Sequence, residues 1–111
     1  MEDLTKRQKR HLKRLAEIGY ERELERCLNV LYKKFKLWKK GEISVLDLHD
    51  KIHEFYKDIA RSLYEQYTIN DPLLPVVFGV KSGVLKLDEV REDCKQHVEC
   101  LLHWDEDTNT H

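Results

Sequence analysis

The stretch YERELERCLNVLYKKFKLW, residues 20–38, decides the fold. Tyr20, Leu24, Cys27, Leu28, Leu31, Phe35 and Trp38 recur at steps of three and four, the spacing of one apolar stripe on an α-helix. Upstream, residues 4–18 are also helical in composition. Their apolar residues Leu4, His11, Leu15 and Ile18 define a stripe rotated by roughly 150° from the first, at 100° per residue. Gly19 lies at the junction. Either the chain breaks there, or one long helix shows different faces to different partners. Leu12, Ala16 and Tyr20 continue the stripe of residues 20–38 backwards, which favours an unbroken helix, and a helical Gly costs only ~1 kcal/mol relative to Ala.

Downstream, Lys39-Lys40-Gly41 reads as a helix end, with cations at the negative end of the dipole and a Gly able to take positive φ. Ser44 caps the next start with Asp47 three residues on, and Ile43 can staple against Leu48. That helix is expected to run to about Tyr67 and to bury Val45, Leu48, Ile52, Phe55, Ile59 and Leu63. The short connection makes the pair an antiparallel hairpin. Asn70-Asp71-Pro72 begins a third helix, which Leu73, Leu74, Val76, Val77 and Val80 make apolar on most sides and which Lys81-Ser82-Gly83 closes. Val84 and Leu85 read as a linker, and Asp88 as the cap of a last helix to about Leu102 with Leu87, Val90, Cys94, Val98 and Leu101 inward.

The fold expected is therefore all-α. It is a small helical bundle with a long N-terminal helix that Gly19 could kink, an antiparallel hairpin with a second long helix, and two shorter C-terminal helices. Residues 1–104 form one domain and residues 105–111 a flexible acidic tail. The 111 residues suffice for one modest core. Charged residues at 37% and hydrophobic ones at 41% fit a folded chain. No apolar run approaches the ~18–20 residues that span a bilayer, and the start of the chain lacks the apolar stretch of a secretory signal. The three cysteines, Cys27, Cys94 and Cys100, show no disulfide framework. A cytoplasmic protein with reduced thiols and no membrane contact is expected.

The charge is split along the chain. Residues 1–40 carry thirteen Lys/Arg against six Asp/Glu, a net of +7, and residues 41–111 carry seven against fifteen, a net of −8. The halves can neutralise each other within one chain, pair between chains, or present the basic half to a polyanion. Lys6, Arg7, Lys9, Arg10, Lys13 and Arg14 crowd into nine residues and, on a helix, surround most of its circumference. They are the candidate nucleic-acid-binding residues. A second cluster, Lys33, Lys34, Lys36, Lys39 and Lys40, is interleaved with Phe35 and Trp38, which lie on the apolar stripe and read as core.

His49 and His53, one turn apart, are the candidate metal ligands, because such a pair can share an ion. Asp50 stands where a zinc peptidase carries Glu, and no third ligand is evident. Cys94, His97, Cys100 and His103 mimic a zinc spacing, but each step of three rotates by −60°, so the outer pair point apart. Ser44 and Ser82 lie at helix ends, no carboxylate lies on an apolar stripe, and no Gly-rich phosphate loop is present. Neither catalysis nor a cofactor is expected.

A single helix over 4–38 would be ~50 Å long at 1.5 Å per residue, leaving Leu4, Leu15 and Ile18 without intrachain cover. Those three are the candidate self-association residues, with a homo-oligomer, a dimer, or another protein as partner. A compact bundle in which the helix folds back after Gly19 is the alternative that needs no partner. Gly-Tyr-Glu-Arg-Glu-Leu at 19–24, Trp-Lys-Lys-Gly-Glu-Ile at 38–43 and Leu-His-Asp-Lys-Ile-His-Glu-Phe at 48–55 resemble segments of short bacterial helical proteins of uncharacterised role. The resemblance spans about residues 15–90 and implies a bacterial cytoplasmic protein without implying an activity. The function expected is protein–protein interaction or regulation, with nucleic-acid binding as the alternative and a His49/His53 metal site third.

Overall fold

A computed structural model describes residues 4–109, with side chains as far as residue 103. The chain is all-α, and the long N-terminal helix is unbroken: α1 runs Lys6–Lys39 straight through Gly19. Its start is a capping box the sequence reading passed over. Gln8 N–H donates to Thr5 Oγ1 at 3.0 Å, and Thr5 N–H to Gln8 Oε1 at 2.8 Å. Gly41, at φ +79°, turns the chain after the helix as anticipated.

The second start is also as read. Ser44 and Asp47 form a capping box for α2, Val45–Glu54. The rod continues through a π-helical segment, Phe55–Ala60, into α3, Arg61–Tyr67, and packs antiparallel on α1. The π-turn has a readable cause. Phe55, Ile59, Leu63 and Tyr67 are spaced by four, so in a regular α-helix each step would drift about 40° and the set about 120° off one face. One extra residue in a wide turn absorbs about 100° of that, and Leu63 and Tyr67 are both buried.

Asp71 starts α4, Leu74–Ser82, by accepting from Leu73 and Leu74 N–H at 2.8 and 2.9 Å. Gly83, at φ +84°, ends it. The last helix does not begin at Asp88. Leu87–Glu89 is a single 3₁₀ turn whose Glu89 carboxylate accepts from Lys86 N–H, and Val90 is extended and buried before α5, Glu92–Asn109. Helix α5 thus passes the expected end near Leu102. The flexible tail expected at 105–111 falls on residues whose side chains, and at 110–111 also backbone, lie outside those described.

The core lies at one end of the molecule, which measures 56 × 35 × 23 Å. It joins the first half of α1 (Leu12, Leu15, Ala16) to Val76 and Val77 of α4, to Val84 and Leu85, and to Val90, Cys94 and Val98. The supposed linker residue Leu85 is 2% exposed and wedges between two glycines. A Cβ on Gly79 would stand 2.5 Å from Leu85 Cδ1, and one on Gly19 3.2 Å from both Leu85 Cδ1 and Tyr67 Cε1. Gly19 is therefore a point of close helix approach rather than a hinge. No helix among the described residues is long and apolar enough to cross a membrane.

The second half of α1 and the rod 45–67 project from this core as a two-helix arm. Polar contacts fix the arm's root. Arg22 Nη1 donates to Val84 O at 2.7 Å and to Glu89 Oε1 at 2.9 Å, and Arg26 Nη1 to Ser82 O at 3.1 Å. Hydrogen bonding to Arg22 holds the Glu89 carboxyl below the ordinary carboxylate range. Beside them Tyr67 stacks on Tyr20, with centroids 5.6 Å apart. Burial, and then the neighbouring Glu23 carboxylate, push the Tyr67 phenol up. Tyr67 Oη and Glu23 Oε2 are buried without a hydrogen-bond partner.

Candidate functional site

The self-association residues chosen from sequence are not a free surface. Leu15 is 5% exposed in the core, and Leu4 and Ile18 pack against that core, half-buried. Their cover is α4, α5 and the segment between them, which the length of α1 alone did not foretell. His11, read as part of the same stripe, accepts at Nε2 from Arg91 N–H at 3.0 Å. Desolvation, aided by the Arg91 charge, lowers its pKa and keeps the ring a neutral acceptor.

The uncovered apolar surface is on the arm. Leu28, Phe35, Val45, Ile52 and Ile59 were all expected to be buried, and each is exposed, as are Tyr32 and, most of all, Tyr56. The physical reason is geometric. A hairpin of two helices can bury only the line along which they touch, and here Leu48 and Leu63 are buried on the rod while Leu24, Leu31 and Trp38 are half-buried on α1. Residues about 90° round from that line have nothing above them.

At 100° per residue, Leu28, Tyr32 and Phe35 of α1 fall on the same side of the hairpin as Val45, Ile52 and Tyr56 of the rod. These six form one apolar face. From their fractional exposure (Val45 60%, Tyr32 57%, Tyr56 79%) they present roughly 600 Å² to solvent. That equals the largest patch usual on a monomer, about 300–600 Å². On the opposite face of the hairpin a groove of about 150 Å³ has an apolar lining, Cys27, Val30, Leu31, Phe55 and Ile59, edged by Lys34, Lys51 and Glu54, and the adjoining one is lined by Ile43 with Lys34, Asp47, Asp50 and Lys51. Charges of both signs border both grooves.

Along α1 the apolar face is bracketed by charge. Glu21, Glu25, Leu28, Tyr32, Lys36 and Lys39 share one exposed longitude, acidic nearest the core, apolar in the middle and basic at the tip. Lys36 Nζ sits 4.9 Å from the Tyr32 ring centroid and Lys39 Nζ 5.1 Å from that of Trp38, so both cations lie along aromatic surface. This order was missed from sequence, though steps of three and four running from Glu21 to Lys39 carry it openly.

The six N-terminal cations are all exposed. They do not encircle α1 as expected but occupy an arc of about 160° at 100° per residue, because Leu12, Leu15, Ala16 and Gly19 hold the opposite side in the core. Arg14 pairs with Glu17 at 3.6 Å. Lys9 and Lys13 also edge a cleft of about 600 Å³ between α1 and the turn before α4, with Tyr20, Tyr67, Asp71 and Pro75. His49 and His53 are exposed, their rings stacked with centroids 6.5 Å apart, and His49 Nδ1 lies 3.9 Å from Asp50 Oδ1. Among the described residues no three His, Cys, Asp or Glu gather into a metal-binding group, so no third ligand joins the pair there.

Comparison with protein-family models, curated proteins and solved structures gives no match. The likeness carried by residues 19–24, 38–43 and 48–55 rests on those segments alone.

Proposed function

We propose that the chain acts by protein–protein association through the apolar face of its hairpin arm, and not by catalysis. The observation that carries this is the placement of Leu28, Tyr32, Phe35, Val45, Ile52 and Tyr56 on one side of a projecting two-helix layer, each more than a third exposed. A large aromatic-bearing patch rimmed by charge is what an interface core and its polar rim require. Leu28, Tyr32, Phe35, Val45 and Ile52 lie on α-helices and Tyr56 on the π-turn, so the face is already formed in the folded chain. A photo-crosslinking residue in place of Tyr56 tests the reading in cells, with the same residue in place of the exposed Asp50 on the opposite face as control. Protein adducts from position 56 and not from position 50 are expected. No adduct from position 56 would sink the proposal.

Nucleic-acid binding is the second reading, favoured by the contiguity of Lys6, Arg7, Lys9, Arg10, Lys13 and Arg14 on one solvent-facing arc. It requires affinity for a labelled duplex that falls log-linearly with salt. Replacing Arg7, Arg10 and Arg14 by Ala should then flatten the slope by about 2–3 units. A slope unchanged by the triple replacement rules the arc out as the phosphate contact.

A further inference from the structure

The charge order along α1 points to the occupant of the apolar face. We infer that it is a second copy of this chain, bound antiparallel across a two-fold axis level with residue 30 of α1. This rests on the reading of the arm as an interaction surface and adds to it the partner and the register.

Glu21 and Lys39 are eighteen residues apart on one longitude, about 27 Å at 1.5 Å per residue. Turning a copy end over end about the level of residue 30 lays its Lys39 on Glu21 and its Tyr32 on Leu28. It also brings its Lys36 within a turn of Glu25. Because the contact is isologous, every such pairing occurs twice. A parallel arrangement would instead stack Glu21 on Glu21 and Lys39 on Lys39. The acidic–apolar–basic order is thus complementary to itself in one orientation only.

The same operation places the rod 45–67 over its own copy, so that two hairpins stack into a four-helix bundle around Leu28, Tyr32, Phe35, Val45, Ile52 and Tyr56. Within the span 21–39, Arg22 and Arg26 reach the core end from about 100° and 140° off the Glu21–Lys39 line. The six apolar residues with the rim residues Glu21, Glu25, Lys36, Lys39 and Tyr64, all exposed, reach the ~800 Å² per partner of a standard interface.

Sedimentation equilibrium on the purified full chain and two charge reversals tests both the partner and the register. The wild-type chain is expected at twice its 13.4 kDa. Glu21→Lys alone and Lys39→Glu alone each set like charges opposite one another at both ends, and each should dimerise about tenfold more weakly. Mixed in equal amounts, the two variants should recover wild-type affinity, since the lysine introduced in one then meets the glutamate introduced in the other. The double variant carrying both changes should recover it as well. Both positions are solvent-exposed, and circular dichroism confirms that each variant keeps its helices. A wild-type monomer at several hundred micromolar overturns the inference. Cross-links from position 56 to a different protein would then leave the interaction reading standing. A dimer indifferent to the reversals, or one that mixing fails to restore, overturns the antiparallel register.

Discussion

Replacing Gly79 by Ala gives a direct test of how the core is built. In an exposed helix the change would stabilise by about 1 kcal/mol, because Ala is the better helix former. Here the new Cβ would lie 2.5 Å from Leu85 Cδ1 and 2.9 Å from its Cγ, distances at which something must move. Leu85 is packed on all sides, so the shift passes into neighbouring side chains, and overfilling a tight core costs about 1–3 kcal/mol. The expected net is a loss of about 1–2 kcal/mol, seen as a fall in midpoint of several degrees for a chain of this size. Leu85→Ala removes the obstructing Cγ and Cδ atoms at its own cost of about 2–5 kcal/mol. In that background Gly79→Ala should reverse sign and stabilise by up to about 1 kcal/mol. The resulting coupling of about 2 kcal/mol is readable from a double-mutant cycle by urea denaturation followed at 222 nm. All four proteins should be compared at one concentration, because association shifts apparent stability. If Gly79→Ala stabilises the intact chain, or acts alike in both backgrounds, Leu85 does not fill the space between the glycines.

The His11 contact makes stability depend on pH. Its pKa in the folded chain lies below the ordinary 6.5, so between those values the unfolded chain binds more protons and stability falls as pH drops from about 6.5. The urea midpoint should decline over that window, and His11→Gln, which keeps an acceptor for Arg91 N–H, should remove its part of the slope; an unaltered slope refutes the assignment. The three thiols should separate by accessibility. Cys100 is exposed, Cys27 is half-buried, and Cys94 is fully buried with its pKa raised first by desolvation. A thiol reagent should label Cys100 at once and Cys94 only on unfolding. Prompt labelling of Cys94 in folded protein would contradict the packing of α5.

The sequence showed helix ends and helix faces well, and the cover over those faces poorly. Ser44 with Asp47, Asp71, Gly41 and Gly83 could be read because each acts within a turn of its own position. The π-turn was open to reading in the four-residue spacing from Phe55 to Tyr67, but treating the rod as one α-helix concealed it. Val84 and Leu85 looked like a linker since two residues have no periodicity, yet they fill the gap at which α1 and α4 approach through their glycines. Periodicity names the apolar side of a helix and is silent on what lies against it. Leu15 and Ile18 on the one hand, and Val45 and Ile52 on the other, were therefore assigned the wrong way round. The first pair is covered by elements up to 80 residues distant, and the second belongs to a layer with nothing above it.

This exchange separates two properties along one helix. The first half of α1 is held by long-range packing with Val76, Leu85, Val90, Cys94 and Val98, and substitutions there act on global stability. The second half touches only the rod, where Leu48 is the one buried side chain from Val45 to Ala60. Helical segments of this length are marginal without an apolar face to bury, so the arm should open at lower free energy than the core end. Covering the arm's face adds contacts where the isolated chain has fewest. Association and order in the arm are then one linked equilibrium: whatever binds Leu28, Tyr32, Phe35, Val45, Ile52 and Tyr56 also closes the helices that present them. Charge at Glu21 and Lys39 selects the partner's orientation, since exposed ion pairs contribute more to register and encounter than to affinity. The apolar residues between them supply the affinity.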